Sequence, residues 1–221
     1  MELRQLTTDA DRALFKTSMC DARATRGGTF RETDNSRVSE IQLTFARLFG
    51  VFDPTSSNPD KLRGGFSLHA LDEFGQSFPV PDLSQYPPHA VFEAGQLWSL
   101  DYNAALALRL GSMIILGLLQ AQAFLIYPMV IPTDISKLYR FFRRAGAPFK
   151  LPFAETLKGE SLWMQAMILD GEALRQQVRL ALMRGFETCG GMSTIRFENS
   201  DIDDHLTAVP SRKRIAGGRL G

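Results

Sequence analysis

The fold of this chain is decided by residues 90–146, which read AVFEAGQLWSLDYNAALALRLGSMIILGLLQAQAFLIYPMVIPTDISKLYRFFRRAG. This stretch predicts a strand, a long apolar helix, a second strand and a basic helix, at residues 91–100, 104–120, 124–131 and 133–144. The second strand has apolar residues on both faces, which is typical of a central strand covered on both sides. The first three elements form one βαβ unit, whose strands we expect to be parallel and joined by a right-handed crossover.

One acidic side chain, Glu93, stands inside the first of these strands among apolar residues. A carboxylate in such a place costs free energy unless a partner solvates it or a function uses it. Two interpretations follow from this. Glu93 is either part of a functional site or a residue at the edge of the sheet that pairs with an arginine.

The composition predicts a single packed domain, since 44% of the 221 residues are hydrophobic and 22% are charged. We place this domain at residues 1–186 and expect residues 187–221 to be a polar C-terminal tail, partly disordered. A net charge of +1 gives no general attraction to nucleic acid, so no nucleic-acid partner is expected. The two cysteines and three histidines lack the spacing of metal ligands, so no metal is expected.

Two segments of the sequence bear on the cellular location of the protein. The longest charge-free apolar stretch, residues 110–127, contains two glutamines and falls short of the usual length of a membrane span. The N-terminal residues MELRQLTTDADR lack the apolar core of a signal peptide. We therefore predict a cytoplasmic protein without a membrane span.

Outside the central stretch, helical and alternating patterns predict further elements. Helices are expected at residues 8–24, 33–49 and 172–184, and Gly50 should end the second of them. Their core-facing positions include Leu14, Phe45 and Leu182. Strands are expected at residues 2–6, 51–52, 62–71, 149–155 and 162–169. The chain is thus predicted to be α/β (α+β), with a mixed sheet flanked by helices.

The order of these elements and the central stretch resemble the GNAT acyltransferases, and within them the autoinducer synthases and the related N-acyl amino acid synthases. Those proteins carry a Glu in the fourth strand, after Trp or Phe, in a pattern like E-x-S-R-F. A long helix, an apolar strand and a helix ending in R-x-G follow it. Here residues 92–97 read FEAGQL, and residues 144–146 read RAG. The resemblance implies a mostly antiparallel sheet with one central parallel pair splayed apart, and helices on both faces.

Two departures from the family pattern concern the donor. Gly95 and Gln96 replace the Ser and Arg of the strand motif. The pyrophosphate-binding motif at the start of the long helix is missing, and Asp101 would oppose an anion there. Autoinducer synthases also lack this motif, and many accept acyl groups on acyl carrier protein. The resemblance therefore implies an acyl thioester co-substrate, either acyl-CoA or an acyl-carrier-protein thioester.

The resemblance assigns the proton transfers to two residues. Glu93 would be the base that takes a proton from the attacking amine, since a partly desolvated carboxylate has a raised pKa. Tyr139 is the candidate proton donor to the leaving thiolate, because Phe142 occupies the position where many GNAT enzymes have a Tyr. The alternative for Tyr139 is an ordinary core or surface tyrosine.

The thioester arm is expected to pair with the first strand of the central unit like an added strand. Gly95 would permit the β-bulge that the splay requires, although a plain strand weakened by a glycine is the alternative. The residues assigned to thioester binding are Gln96, Leu97, Trp98, Ser99, Leu100, Tyr102, Asn103 and Arg109. Arg109 could instead pair with a carboxylate.

Two larger groups of side chains have a functional and an ordinary interpretation. An acidic acyl carrier protein could dock on a basic cluster, or the cluster is a solvated helix face: Lys137, Arg140, Arg143 and Arg144. A tunnel for an acyl chain could be lined by aromatic and methionine residues that otherwise belong to the core: Trp98, Phe124, Tyr127, Met129, Trp163, Met164 and Met167.

The function predicted from these features is N-acyl transfer, from an acyl thioester to the amine of a small molecule such as an amino acid derivative. The alternative is a non-catalytic binding or interaction module that keeps the fold. Gln96, Asp101 and Phe142 support that alternative, because each replaces a residue that active relatives often need.

Overall fold

The structure is a computed structural model, which describes residues 1–25, 30–32, 42–74, 78, 82–128, 141–156, 161–188 and 195–196. The described residues form one nine-stranded sheet in the order β2-β7-β8-β6-β5-β4-β3-β1-β9. The strands are β1 (Glu2–Leu6), β2 (Phe30–Glu32), β3 (Arg47–Phe52), β4 (Leu62–Ala70), β5 (Val91–Ser99), β6 (Ala123–Ile126), β7 (Arg143–Thr156), β8 (Ser161–Asp170) and β9 (Ile195–Arg196).

In the residues that the structure describes, four helices accompany the sheet: α1 (Asp9–Thr25), α2 (Leu71–Phe74), α3 (Tyr102–Leu118) and α4 (Gly171–Thr188). Residues 42–45 form a further helical turn, and Pro88–Ala90 form a 3-10 turn. Within the described part of the chain, no helix combines the length and apolar content that crossing a membrane requires.

The sheet is mostly antiparallel around a central parallel pair, β5 and β6, as predicted. A second parallel pair, which the sequence did not predict, joins Leu3–Arg4 of β1 to Ile195–Arg196 of β9. These two residues of the expected tail thus belong to the sheet, and residues 197–221 lie outside the described residues. The division into a domain at 1–186 and a tail at 187–221 stays a prediction.

Helices cover both faces of the sheet, which confirms the predicted fold class. Phe15 of α1 packs on one face with Leu6 and Leu48, whereas Leu108 of α3 packs on the other face with Leu3. Helix α4 lies on the α3 side, where Leu174 and Ala181 are buried in the same cluster as Leu108.

Two adjacent glycines of β4 let both helix layers approach the sheet. A Cβ on Gly65 would meet the Phe15 ring of α1, and a Cβ on Gly64 would lie 3.0 Å from Leu108 of α3. Side chains of successive strand residues point to opposite faces. The absence of both Cβ atoms therefore allows close packing above and below the same point of β4.

Helix α1 begins where a capping pattern predicts it. The Asp11 N–H donates to Thr8 Oγ1 at 3.1 Å, and the Thr8 N–H donates to Asp11 Oδ2 at 3.1 Å, so two free amides at the helix start gain acceptors. Phe15 and Met19 are buried on its inner face. Leu14 is 38% exposed, so its assignment to that face is wrong.

The second predicted helix is wrong at its C-terminal end. The helical turn stops at residue 45, and Arg47 begins β3, so Gly50 lies within a strand instead of ending a helix. Leu48 and Phe49 are both fully buried because they pack on opposite faces of the sheet. Phe45 is 61% exposed, so it does not face the core. Residues 33–41 lie outside the described residues.

The helix predicted at residues 133–144 also ends too late. Arg143 and Arg144 belong to β7, and Phe142, just before it, packs on Phe124 at 5.9 Å. Gly146 has a φ of 68° and lies where the register between β7 and β8 shifts. Its left-handed conformation therefore belongs to an irregularity in a strand, and it does not cap a helix. Residues 129–140 lie outside the described residues.

Two smaller corrections concern single segments. Phe30–Glu32 form β2 on the edge of β7, in a segment for which the sequence predicted neither a helix nor a strand. Leu182 of α4 is 43% exposed, so it does not belong to the inner face of that helix.

Candidate active site

The site begins where β5 and β6 separate. These strands pair over four positions only, from Val91 with Ala123 to Ala94 with Ile126. Beyond this point β5 continues along β4, while the chain after β6 stays on β8, because the Gln165 N–H donates to the Pro128 carbonyl at 3.1 Å. The central sheet therefore opens into a cleft with β5 on one side and the β6 end on the other.

A β-bulge in β5 lies at the start of this cleft. Gly95 pairs with Ser67 and Trp98 pairs with Gly65, so Gln96 and Leu97 together oppose the single residue Phe66. Gln96 has a φ of 48°, a left-handed conformation that costs a non-glycine residue free energy. Such a bulge bends the strand and interrupts its pairing, which favours the divergence from β6.

Glu93 lies next to the bulge and is fully buried. Its strand is central, between β4 and β6, so Glu93 is not at a sheet edge. His69 of β4 is its cross-strand neighbour, with Nε2 3.8 Å from Glu93 Oε2. Gln42 Nε2 donates to Glu93 Oε1 at 3.2 Å. Glu93 therefore accepts a hydrogen bond from Gln42, and the His69 ring lies beside its second oxygen.

The overall fold recurs in solved structures of other proteins. The chain is similar to BjaI, a CoA-dependent acyl-homoserine lactone synthase determined with SAM and isopentyl-CoA, with a TM-score of 0.59 over 93% of this chain and 97% of that chain. The sequence identity is 13%. The chain has the GNAT acyltransferase fold.

Two further structures share the GNAT fold. TofI in a ternary complex with an inhibitor and MTA gives a TM-score of 0.53 at 15% identity, over 83% of this chain and 97% of TofI. A GCN5-related N-acetyltransferase from Brucella melitensis gives 0.52 at 15% identity, over 82% of this chain and 80% of that chain. No protein-family model matches the sequence, and no curated protein matches it.

Beside the GNAT cleft, a line of polar side chains connects Glu93 to α1. Gln96 Nε2 donates to Gln42 Oε1 at 3.1 Å, and Arg23 Nη2 donates to Gln96 Oε1 at 2.9 Å. A Cβ on Gly95 would collide with the Gln42 side chain. Glycine at this position therefore lets Gln42 reach Glu93, a requirement that the sequence alone did not reveal.

His69 is a neutral neighbour of Glu93. Burial lowers the pKa of His69, and the positive charge of Arg47 lowers it further, whereas the negative charge of Glu73 acts in the opposite direction. The alternation of β4 predicted that its polar residues face away from the core, yet His69 is 1% exposed. The reason is that α1 covers that face of the sheet as well.

Tyr127 lies across the cleft from the bulge. It directly follows β6, and its ring packs on Phe78 at 4.8 Å and on Phe149 at 5.9 Å between centroids. Burial raises the pKa of Tyr127, and the charge of Glu93 raises it further. The sequence placed Tyr127 only among possible tunnel residues.

The start of α3 is occupied by the protein's own carboxylate. Asp101 Oδ1 accepts from the Ala104 N–H at 2.9 Å, and Asp101 Oδ2 accepts from Arg63 Nη2 at 2.7 Å. The Ala104 amide, followed by the Arg63 guanidinium, holds the pKa of Asp101 below its usual range. The helix end that binds phosphate in other proteins is thus capped by Asp101.

The remaining residues assigned to the thioester have different positions. Trp98 is buried and Ser99 pairs with Gly64, whereas the Leu100 N–H donates to the Arg63 carbonyl at 2.7 Å. Leu97 is 60% exposed beside the cleft. The other three, Tyr102, Asn103 and Arg109, are exposed on α3.

The predicted acyl tunnel is not brought together. Trp98 packs on Phe15 at 5.9 Å on the α1 face, whereas Phe124 belongs to the cluster on the α3 face. Trp163 is 45% exposed, and Lys150 Nζ lies 5.5 Å from its ring centre. Because these side chains lie on opposite faces of the sheet, no single tunnel contains them.

The predicted basic cluster and the candidate proton donor lie only partly within the described residues. Lys137, Tyr139 and Arg140 lie outside the described residues. Arg143 donates to Asp170 Oδ2 at 2.6 Å, and Arg144 is exposed on the same strand. Their assignment to one helix face is wrong, since both belong to β7.

A cavity of about 410 Å³ lies elsewhere in the molecule, between the end of α3 and the start of α4. Its lining includes Tyr86, Gln120 and Arg175 but neither Glu93 nor Tyr127. It is therefore separate from the cleft. Among the described residues, no cluster of three His, Cys, Asp or Glu side chains could hold a metal ion.

Proposed function

We propose that this chain is an acyltransferase that moves an acyl group from a thioester to the amine of a small molecule. The observation that carries the proposal is the place of Glu93, fully buried on a central strand where β5 and β6 part. A buried carboxylate whose position is not explained by packing is a typical catalytic proton acceptor. The GNAT fold, which the chain shares with BjaI, adds support.

The proposed mechanism uses the cleft as a cradle. The amide groups of the donor arm pair with the strand edge beyond Ala94, in the manner of β-strand addition. The amine nitrogen attacks the thioester carbonyl carbon, Glu93 takes up the amine proton, and the C–S bond breaks as the C–N bond is completed. Gln42 orients the Glu93 carboxylate during this step through its hydrogen bond to Oε1.

The acceptor is proposed to enter from the α1 side of Glu93. The polar line through Gln42, Gln96 and Arg23 lies on that side. Hydrogen-bonding groups there suit an amine that carries further polar groups, as an amino acid derivative does. The BjaI structure contains SAM and isopentyl-CoA. Because isopentyl-CoA is a thioether without a carbonyl group, the first pair to test is SAM with 3-methylbutanoyl-CoA, the thioester of the same carbon skeleton.

The donor carrier is proposed to be either coenzyme A or an acyl carrier protein. Asp101 at the start of α3 weakens pyrophosphate binding there, because two negative charges would meet. Arg144, exposed on β7, and the sequence-predicted Lys137 and Arg140 are the groups proposed to contact an acidic carrier protein.

The second candidate function is a binding module without catalysis. The capped α3 terminus favours it, and so does Phe142, which packs in the core on Phe124. A catalytically inactive relative would keep the cleft but release no thiol.

The test compares thiol release by the wild type and by Glu93→Gln. The donors are 3-methylbutanoyl-CoA and acyl-carrier-protein thioesters, and the acceptors are SAM and a panel of amino acid derivatives. We expect Glu93→Gln to lower the rate by about 10²- to 10⁴-fold, as loss of a general base does. Glu172→Gln, on the exposed surface of α4, is the matched control and should keep the wild-type rate. If the wild type, Glu93→Gln and Glu172→Gln all release thiol equally slowly, the acyltransferase proposal is wrong. The binding module without catalysis then remains.

A further inference from the structure

The hydroxyl of Tyr127 shares a face of the sheet with Glu93. Glu93 pairs with Leu125, and Leu125 packs in one cluster with Tyr127, two residues further along. Side chains two residues apart on a strand point to the same face. The last pair of the two strands is Ala94 with Ile126, so Tyr127 is the first β6-side residue at the open cleft.

The surroundings of Tyr127 fix its ring but leave its hydroxyl without a partner. Phe78 and Phe149 pack on the ring. Among the described residues, the buried hydroxyl oxygen has no hydrogen-bond partner. A buried polar group in this state costs free energy, and such groups in folded proteins call for a functional explanation.

The chemistry of this hydroxyl makes it a hydrogen-bond donor and not a proton acceptor. Burial raises the pKa of Tyr127, and the negative charge of Glu93 acts in the same direction. The phenol therefore keeps its proton throughout the neutral and mildly alkaline range. A neutral phenol in a cleft can donate one hydrogen bond to a group that becomes negative.

We propose that Tyr127 donates a hydrogen bond to the sulfur of the leaving thiolate. The inference rests on the proposed acyl transfer. As the C–N bond forms and the C–S bond breaks, the electron pair of the C–S bond goes to sulfur. Glu93 accepts the amine proton and later releases it to solvent, while Tyr127 keeps its proton and stabilises the sulfur anion.

The position of Tyr127 suits this role because the two groups flank the reaction. Glu93 lies on β5 and Tyr127 follows β6, so a thioester between the strands has the proton acceptor on one side and the donor on the other. Phe142 packs against Phe124 and has no hydroxyl to offer. Tyr127 thus supplies a donor that the sequence comparison sought at Tyr139.

The test uses two donors with the same acyl chain and different leaving groups. Hexanoyl-pantetheine releases an alkyl thiolate, which needs stabilisation, whereas phenyl thiohexanoate releases an aryl thiolate, which leaves readily unaided. With the best amine from the panel above, we expect Tyr127→Phe to lower kcat for hexanoyl-pantetheine by about tenfold to a hundredfold, as loss of one transition-state donor does. For phenyl thiohexanoate we expect less than about threefold.

Control variants separate this role from a structural one. Tyr86→Phe makes the same chemical change outside the cleft, where the hydroxyl donates to Asp170 Oδ2 at 3.0 Å, and should leave both rates unchanged. Because the Tyr127 hydroxyl has no partner among the described residues, Tyr127→Phe should keep or raise the thermal midpoint. Tyr139→Phe tests the other candidate in the same assay.

The outcomes are distinct. Equal losses with both donors, no loss with hexanoyl-pantetheine, or a clear drop in the thermal midpoint of Tyr127→Phe overturns the role of Tyr127 while the proposed function stands. A wild type that releases thiol with no donor or amine overturns the proposed function, and the inference with it.

Discussion

Glu93 and its neighbours show how a buried carboxylate is kept in a sheet. The carboxylate is fully buried, yet Gln42 donates to it and His69 lies beside it. The Gln42 amide provides a hydrogen bond that water would otherwise give. The arrangement depends on neutral partners, so the protonation of His69 matters for stability.

The first prediction concerns the pH dependence that His69 creates. The pKa of His69 is lowered by burial in the folded chain, so the unfolded chain binds this proton first as the pH falls. The stability contribution is therefore complete above about pH 6.5 and declines as the pH falls below it. The slope from one such group reaches at most about 1.4 kcal/mol per pH unit.

Urea unfolding at pH 7.5 and at pH 5.0 measures this effect. The difference between the two free energies of unfolding should be smaller in His69→Gln than in the wild type. His89→Gln, exposed on the turn before β5, is the matched control. An identical pH dependence in wild type and His69→Gln would show that His69 titrates equally in both states.

The residues of the site differ in how far the sequence could reveal them. Glu93 was visible because an acid in an apolar strand breaks a local pattern. Gln42 was not visible, because it is 51 residues from Glu93 in sequence and meets it only through the register of the strands. Tyr127 appeared as one aromatic residue among several, since its sequence neighbours do not show which side chains will pack around its ring.

At the scale of elements, α3 is held by its first turn. Asp101 accepts from the Ala104 N–H and pairs with Arg63 at 2.7 Å. The carboxylate also lies at the positive end of the helix dipole. These contacts set the start of α3, and with it the position of the chain between β5 and β6.

The second prediction separates the cap of α3 from its charge. Asp101→Ala should lower the free energy of unfolding by about 1 kcal/mol, because the cap is lost. Asp101→Asn should cost less, since the amide oxygen still accepts from Ala104 and the Arg63 pair is partly exposed.

The pH dependence of this cap follows from the lowered pKa of Asp101, whose first cause is the Ala104 hydrogen bond. The stability from its charge is present above about pH 4 and is lost as the pH falls through the folded pKa. Chemical unfolding at pH 7 and pH 3 measures it. Asp72→Ala, exposed in α2, is the control. Equal stability of Asp101→Ala and the wild type at pH 7 would contradict the capping role.

Helical periodicity predicted α1, α3 and α4 well, because each has one apolar stripe and a clear start. It failed at residues 46–50, where Leu48 and Phe49 are buried on opposite faces of a central strand. A run that is apolar on both faces fits the spacing of a helix and of a buried strand equally. Only the pairing of β3 with β1 and β4 decides between them.

At the scale of the molecule, one sheet is enclosed by two helix layers. Helix α1 lies on one face, and α3 with α4 lies on the other. The resemblance predicted this architecture from the order of the elements. It could not predict the contribution of Ile195–Arg196, which pair with β1 from the far end of the chain.

The third prediction concerns the spacing between α1 and the sheet. In Gly65→Ala the new Cβ would meet the Phe15 ring and lie 2.7 Å from the Phe49 carbonyl oxygen, so helix or strand must shift. Overpacking of this kind costs about 1–3 kcal/mol. Urea unfolding should show a lower midpoint with an unchanged slope. Ser161→Ala, at the exposed start of β8, should unfold like the wild type. A Gly65→Ala variant as stable as the wild type would mean that α1 is not held this close.

The parting of β5 from β6 has a consequence for ligand design. Past Ala94 and Ile126 the sheet keeps two facing inner edges, each attached to its outer neighbour. A compound that completes the sheet needs a backbone of regularly spaced amides more than any particular side group. Short peptidomimetics of extended shape, with an apolar group placed beside Tyr127, should therefore occupy the gap as an artificial tenth strand.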